Sequence, residues 1–168
     1  MKRIPAWQPR NQGAIIAPVS CLESYPVSVK YPLGHDSEGR PYVEMLELPC
    51  HADQRGCLYP LDFQALPFVP RRLFVVSAVP AGTVRGCHAH KSQLQAIVCL
   101  AGAIEVELKV AAQSASLLLD RPGRALLIQP GVWASQKFVD EHSVELVLAS
   151  GAYAPEDYSP ECRPGHDR

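Results

Sequence analysis

His88 and His90 stand two residues apart in the stretch Gly82-Thr-Val-Arg-Gly-Cys-His88-Ala-His90-Lys-Ser-Gln-Leu-Gln95, and this spacing is the strongest chemical signal in the chain. On an extended strand, residues i and i+2 project from the same face, so both imidazoles enter one space. Two neighbouring imidazoles can hold a metal ion or move a proton, because histidine carries a lone pair and titrates near neutrality. Arg85 before the pair and Lys91 after it add positive charge, which suits an anionic ligand or a solvated rim. Either histidine alone reads as a core or rim residue. The pair in this setting points to function.

The wider spacing decides between metal and proton. It reads G-x5-H-x-H-x4-Q-x6-G, from Gly82 to Gly102, and resembles the first signature of the cupin barrels. A metal-binding cupin carries glutamate where this chain has Gln95, whose neutral amide is a poor ligand for a divalent transition ion. The second signature is similar to Pro130-Gly-Val-Trp-Ala134, with alanine at the position of the expected histidine. Two of four ligands are missing, so no metal and no cofactor are expected, and general acid–base chemistry is the better use of the pair. His35, His51, His142 and His166 lie among polar turn and tail residues and read as solvated.

Short strands must position these side chains. From Tyr42 onward, apolar or alternating runs are punctuated by glycine and proline: 42–48, 56–62, 72–78, 95–100, 103–109, 116–119, 125–128, 133–139 and 144–150. Pro80-Ala-Gly82, Ala101-Gly102, Arg121-Pro-Gly123 and Pro130-Gly131 mark reversals between them. Ile104, Val106, Leu108 and Val110 alternate with charged residues, as on a strand with one wet face. Residues 96–100 and 125–128 are continuously apolar, as on strands covered on both sides. The spacing of about ten residues predicts an antiparallel sandwich or barrel. Residues 1–42 are proline-rich and read as an irregular N-terminal extension, with one strand near Ala14–Val19 and a turn over His35–Pro41.

The 168 residues suit one domain with a real core. A net charge of -1 gives no electrostatic reason to expect nucleic acid or an acidic membrane surface. No apolar run approaches the ~20 residues of a membrane span. The six cysteines form no C-x-x-C pair, which makes a reducing cytoplasm the expected setting.

With these residues in place, the chain resembles the nucleotide-sugar 3,4-ketoisomerases, metal-free cupins of the WxcM-like group that act on dTDP-4-keto-6-deoxyglucose. The resemblance runs from about Leu46 to Tyr158. It is carried by Leu48-Pro49, Arg55-Gly56-Cys57-Leu58, Arg72-Leu73-Phe74 and Arg85-Gly86-Cys87-His88-Ala89-His90-Lys91. It continues in Leu117-Leu-Leu-Asp120-Arg-Pro122, Pro130-Gly-Val-Trp133, Val147-Leu-Ala-Ser150 and Asp157-Tyr158.

The resemblance implies an all-β jelly-roll, the double-stranded β-helix of the cupins, over 43–158, with a polar tail at 159–168. It implies an isomerase that moves the keto group of a dTDP-4-keto-6-deoxyhexose from C4 to C3 through an enediol. His88 would be the base, His90 the shuttle or acid, and Arg55 a group polarising substrate oxygens. Arg85, Lys91, Gln95, Phe74 and Gln54 would bind substrate. A homodimer and a pathway aminotransferase are implied partners. Phe74 and Gln54 stand where the family commonly has tyrosine, and the first 42 residues lie outside the resemblance. The alternatives are a non-catalytic cupin that binds a nucleotide sugar or other small ligand, and a metal-dependent cupin in which another ligand completes the histidine pair.

Overall fold

A computed structural model describes residues 29–30 and 33–160; the strand expected near Ala14–Val19 lies outside the described residues. Antiparallel strands follow one another closely: β1 (Val29–Lys30), β2 (Val43–Glu47), β3 (His51–Asp53), β4 (Gly56–Leu58), β5 (Arg72–Val76) and β6 (Val84–His90). Next come β7 (Gln95–Ala101), β8 (Ile104–Val110), β9 (Gln113–Leu119), β10 (Arg124–Ile128), β11 (Trp133–Phe138), β12 (Val144–Ala149) and β13 (Tyr158–Ser159). They form a six-stranded sheet, β1-β2-β10-β7-β12-β5, a five-stranded sheet, β13-β6-β11-β8-β9, and a separate β3-β4 hairpin.

The two large sheets pack face to face as an all-β jelly-roll of the cupin type. One apolar cluster draws on both: Val43, Ile97, Leu126 and Val147 from the first sheet meet Val106, Leu108, Leu119 and Phe138 from the second. Ile104, Val106, Leu108 and Phe138 are fully buried, and each such side chain contributes ~1.5–3 kcal/mol relative to exposure. The alternation expected on β8 is present, with Glu105 and Glu107 facing solvent.

Residues 96–99 of β7 and 125–128 of β10 are apolar and buried because both faces of these strands are covered. A second cluster joins Ala96, Leu127 and Leu148 to Leu66, packed by Leu61 and Phe68 of the β4–β5 connection, on the outer side of the six-stranded sheet. The strand expected over 56–62 stops at Leu58, because Pro60 removes a ladder donor and the chain enters a 3-10 turn at Phe63–Ala65. The segment read as irregular extension contributes β1, which pairs with β2, and a turn in which Asp36 accepts hydrogen bonds from the Glu38 and Arg40 amides.

Candidate active site

The barrel interior is laid out in rows by strand register. On the six-stranded sheet, Ala149 of β12 stands between Arg72 and Gln95, Val147 between Phe74 and Ile97, and Glu145 between Val76 and Cys99. On the facing sheet, β6 brings His88 opposite Ala134 of β11. A cavity of about 200 Å³ opens between the two faces, and both histidines, Gln95 and Phe74 line it.

A β-bulge in β6 decides what else reaches this cavity. The register with β11 shifts between Ala134 and Ser135: Ala134 pairs with His88 and Ser135 with Gly86, leaving Cys87 as the extra residue. Simple alternation would send Arg85 outward with Cys87. The bulge instead pairs Arg85 with Gln136, so both line the cavity although Arg85 keeps an exposed end. Gly86 and Cys87 both have positive φ, 75° and 60°. A Cβ on Gly86 would collide with the Gln136 amide oxygen and come within 3.1 Å of the Ala134 carbonyl, so glycine is required there for space as well as conformation.

His90 is held from three sides. Its Nδ1 lies 2.8 Å from Asp157 Oδ2, its Nε2 lies 2.9 Å from Gln95 Nε2, and His88 Nε2 is 3.2 Å from the same Nε2. Asp157 fixes the tautomer: Nδ1–H donates to the carboxylate, so the single Nε2 lone pair faces the Gln95 amide and the His88 ring nitrogen. Asp157 is itself anchored, because Ser92 donates to Oδ1 through its hydroxyl at 2.6 Å and its amide at 2.9 Å. The chain returns through β13 to place this carboxylate, with Tyr158 paired to His90. The Tyr158 ring lies 4.5 Å from the His88 ring and 4.8 Å from the His90 ring, closing one side of the pair.

Electrostatics follow from this geometry. Burial lowers the His90 pKa below its ordinary 6.5, with His88 and Arg72 acting in the same direction and Asp157 opposing them. Burial alone would raise the Asp157 carboxyl, but hydrogen bonds from Ser92 and His90 overcome it and hold the group below the usual carboxylate range. His90 is thereby a neutral base at pH 7 backed by a fixed anion. Among the described residues no three histidine, cysteine or acidic side chains gather to hold a metal ion, and Ala134 offers no donor where it faces His88.

The sequence-predicted residues divide into two groups. His88, His90, Gln95, Phe74 and Arg85 come together around the cavity. Arg55 and Gln54 do not: they lie exposed at the β3–β4 hairpin, where Arg55 pairs with Asp53. Lys91 points outside the cavity, its Nζ 2.5 Å from the Glu156 carbonyl oxygen. Asp157 and Tyr158 stood in the family-like motifs without a role. Arg72, whose guanidinium lies 4.9 Å from the Phe74 ring centroid, likewise stood in those motifs without a role, and Glu145 was missed. Glu145 had a readable signal, an acid interrupting the apolar run Val144-Glu-Leu-Val-Leu-Ala149.

Residues 41–163 match the family model described as FdtA, WxcM-like, C-terminal. The chain belongs to the WxcM-like sugar 3,4-ketoisomerase family. A curated relative from Aneurinibacillus thermoaerophilus, TDP-4-oxo-6-deoxy-alpha-D-glucose-3,4-oxoisomerase, is 33% identical over 107 residues, covering 63% of this chain and 77% of the relative. Among solved structures, the sugar 3,4-ketoisomerase QdtA from Thermoanaerobacterium thermosaccharolyticum in complex with TDP has a TM-score of 0.69 at 31% identity, covering 71% of this chain and 88% of its own. The TDP-quinovose 3,4-ketoisomerase WlaRB from Campylobacter jejuni has a TM-score of 0.67 at 28% identity, over 71% and 92%. No helix among the described residues of this family member is long and apolar enough to cross a membrane.

Proposed function

We propose that this chain is a dTDP-sugar 3,4-ketoisomerase that uses His90 as base and His88 as proton shuttle on a dTDP-4-keto-6-deoxyhexose. The observation that carries this reading is the continuous chain Asp157, His90, His88 along the cavity wall. His90 Nε2 takes the C3 proton, which the C4 ketone acidifies, and the C4 oxygen becomes that of an enediol. A proton is then delivered to C4 while the C3 hydroxyl loses its own, leaving a C3 ketone. Protons and electrons balance without an external oxidant.

The order of the two histidines is the reverse of that expected from sequence. A base is strengthened by a partner that stabilises its protonated form, and Asp157 supports His90 directly. His88, half-buried against Tyr158, is placed to carry the proton between neighbouring oxygens. Arg85 supplies a cation at the exposed edge of the cavity, where developing negative charge or a diphosphate would meet it.

The test is incubation with dTDP-4-keto-6-deoxyglucose in deuterated water, followed by NMR. Deuterium at the carbon positions and a 3-keto product are expected; tight binding of the sugar with neither would replace the reading by a non-catalytic binder. His90→Asn should stop exchange at C3, whereas His88→Asn should keep more exchange than product formation.

A homodimer fits edge strand β5, whose Leu73 and Val75 remain 56% and 51% exposed; light scattering at twice the chain mass tests it. Cytoplasmic nucleotide-sugar metabolism is the matching setting, with a pyridoxal-phosphate aminotransferase as the class of enzyme that consumes the 3-keto product.

A further inference from the structure

Three buried side-chain atoms among the described residues lack a hydrogen-bond partner: Arg72 Nε, Gln93 Oε1 and Glu145 Oε1. Glu145 is the acid among them and has no part in the proton relay. It is 4% exposed, shares the inward face of β12 with Val147, and lines the same cavity as the histidines. Its row is Val76, Glu145 and Cys99, whereas His90 touches Gln95. Gln95 and Cys99 are separated by four residue steps on β7, ~13 Å of strand. The carboxyl therefore faces the cavity away from the histidine end, in a wall otherwise built by Val76, Ile97 and Val147.

An unfilled buried oxygen costs stability, and a position within an apolar run could hold a hydrophobic residue at no such cost. Burial also pushes the Glu145 carboxyl up to about 7, with Arg85 opposing, so the group is held in a poorly solvated place. A ligand that donates a hydrogen bond would remove the deficit. On the 4-keto-6-deoxyhexose of the proposed reaction, on which this inference rests, few donors are available. C1 carries the nucleotide diphosphate, C4 the ketone and C5 a methyl group, and the C3 hydroxyl takes part in the reaction. The C2 hydroxyl remains.

We propose that Glu145 is a specificity residue that accepts a hydrogen bond from the C2 hydroxyl of the bound sugar. It orients the pyranose so that the C3–C4 edge meets His90 and His88, and it selects 2-hydroxy substrates against 2-deoxy ones. A site built around a buried acceptor rejects a ligand lacking the donor, because the acceptor stays unpaired in the complex.

The experiment compares dTDP-4-keto-6-deoxyglucose with its 2-deoxy analogue on the full chain, its E145L variant and its E145Q variant. The wild type should prefer the 2-hydroxy sugar by ~10- to 100-fold in kcat/KM, the loss expected from one unpaired buried group. E145L should bring the ratio toward one, and E145Q, which keeps an acceptor oxygen, should preserve the preference. A ratio unchanged in E145L, or absent from the wild type, overturns the assignment. Cooperative thermal unfolding confirms that each variant is folded. Should the wild type turn over neither sugar, the isomerase reading fails separately, and the same ratio measured in Kd by calorimetry decides the role of Glu145.

Discussion

The two ends of the cavity treat their ionisable groups in opposite ways. At the histidine end, Asp157 is bound by Ser92 and His90, and His90 by Asp157, Gln95 and His88, so the chain itself fills the hydrogen bonds. At the β12 end, Glu145 is just as deeply buried and keeps an oxygen unfilled. The first arrangement fixes geometry before substrate arrives, as proton transfer requires. The second leaves a demand that a donor entering the cavity can meet. Chemistry and selection are thereby assigned to different walls of one small space.

The largest expected effect breaks the histidine end. His90→Asn should lower kcat/KM by ~10²–10⁴-fold, the usual contribution of a positioned base, measured by initial rates of 3-keto product. In the wild type, the acid limb of the kcat/KM profile should fall below pH 6.5, because His90 must be neutral to act and its pKa is lowered.

Removing the unfilled acid at the other end should be nearly as large but opposite in sign. The Glu145 pKa rises on folding from 4.5 to about 7, so the folded state holds the proton more tightly. The contribution of Glu145 to stability is then fully present below pH 4.5 and is lost as pH rises through about 7, by up to ~3 kcal/mol. Glu145→Leu should abolish that slope and raise Tm at pH 8, as read by thermal unfolding across pH.

A smaller effect separates orientation from chemistry. Asp157→Asn should cost about 10²-fold in rate by loosening the His90 ring. Asp157 raises the His90 pKa, so its loss should also move the acid limb to still lower pH, a shift that a merely structural role would not produce. The smallest change concerns the bulge between the ends. Gly86→Ala should lower stability by ~1–2 kcal/mol through its positive φ, measured by denaturant unfolding, and should disturb Gln136 more than His90.

Much of the fold was legible because turn residues and alternation are local. The alternation on β8 and the double-sided apolarity of β7 and β10 follow from which faces are covered, and both patterns were present in the residues. The histidine pair was legible for the same reason, since same-face projection depends on spacing alone. Asp157 was not, because its contact with His90 spans 67 positions and arises only when β13 returns to β6. Arg55 was drawn toward the cavity by resemblance, whereas its hairpin pairs it with Asp53 outside. Phe74 takes its place in the wall under the Arg72 guanidinium, a contact that no spacing rule foretells.

The bulge at Cys87 divides β6 into two half-strands of opposite parity. Odd positions face outward beyond it, at Ala89, yet Arg85 before it faces in. Taking Cys87 into a regular ladder instead of the bulge would leave the histidine motif intact in any sequence comparison while turning Arg85 out to solvent. The pairing state of Cys87 thus acts as a one-residue switch on the charge inside the barrel: absorbed as a bulge it keeps the guanidinium inside, and paired in a regular ladder it would leave a neutral wall there.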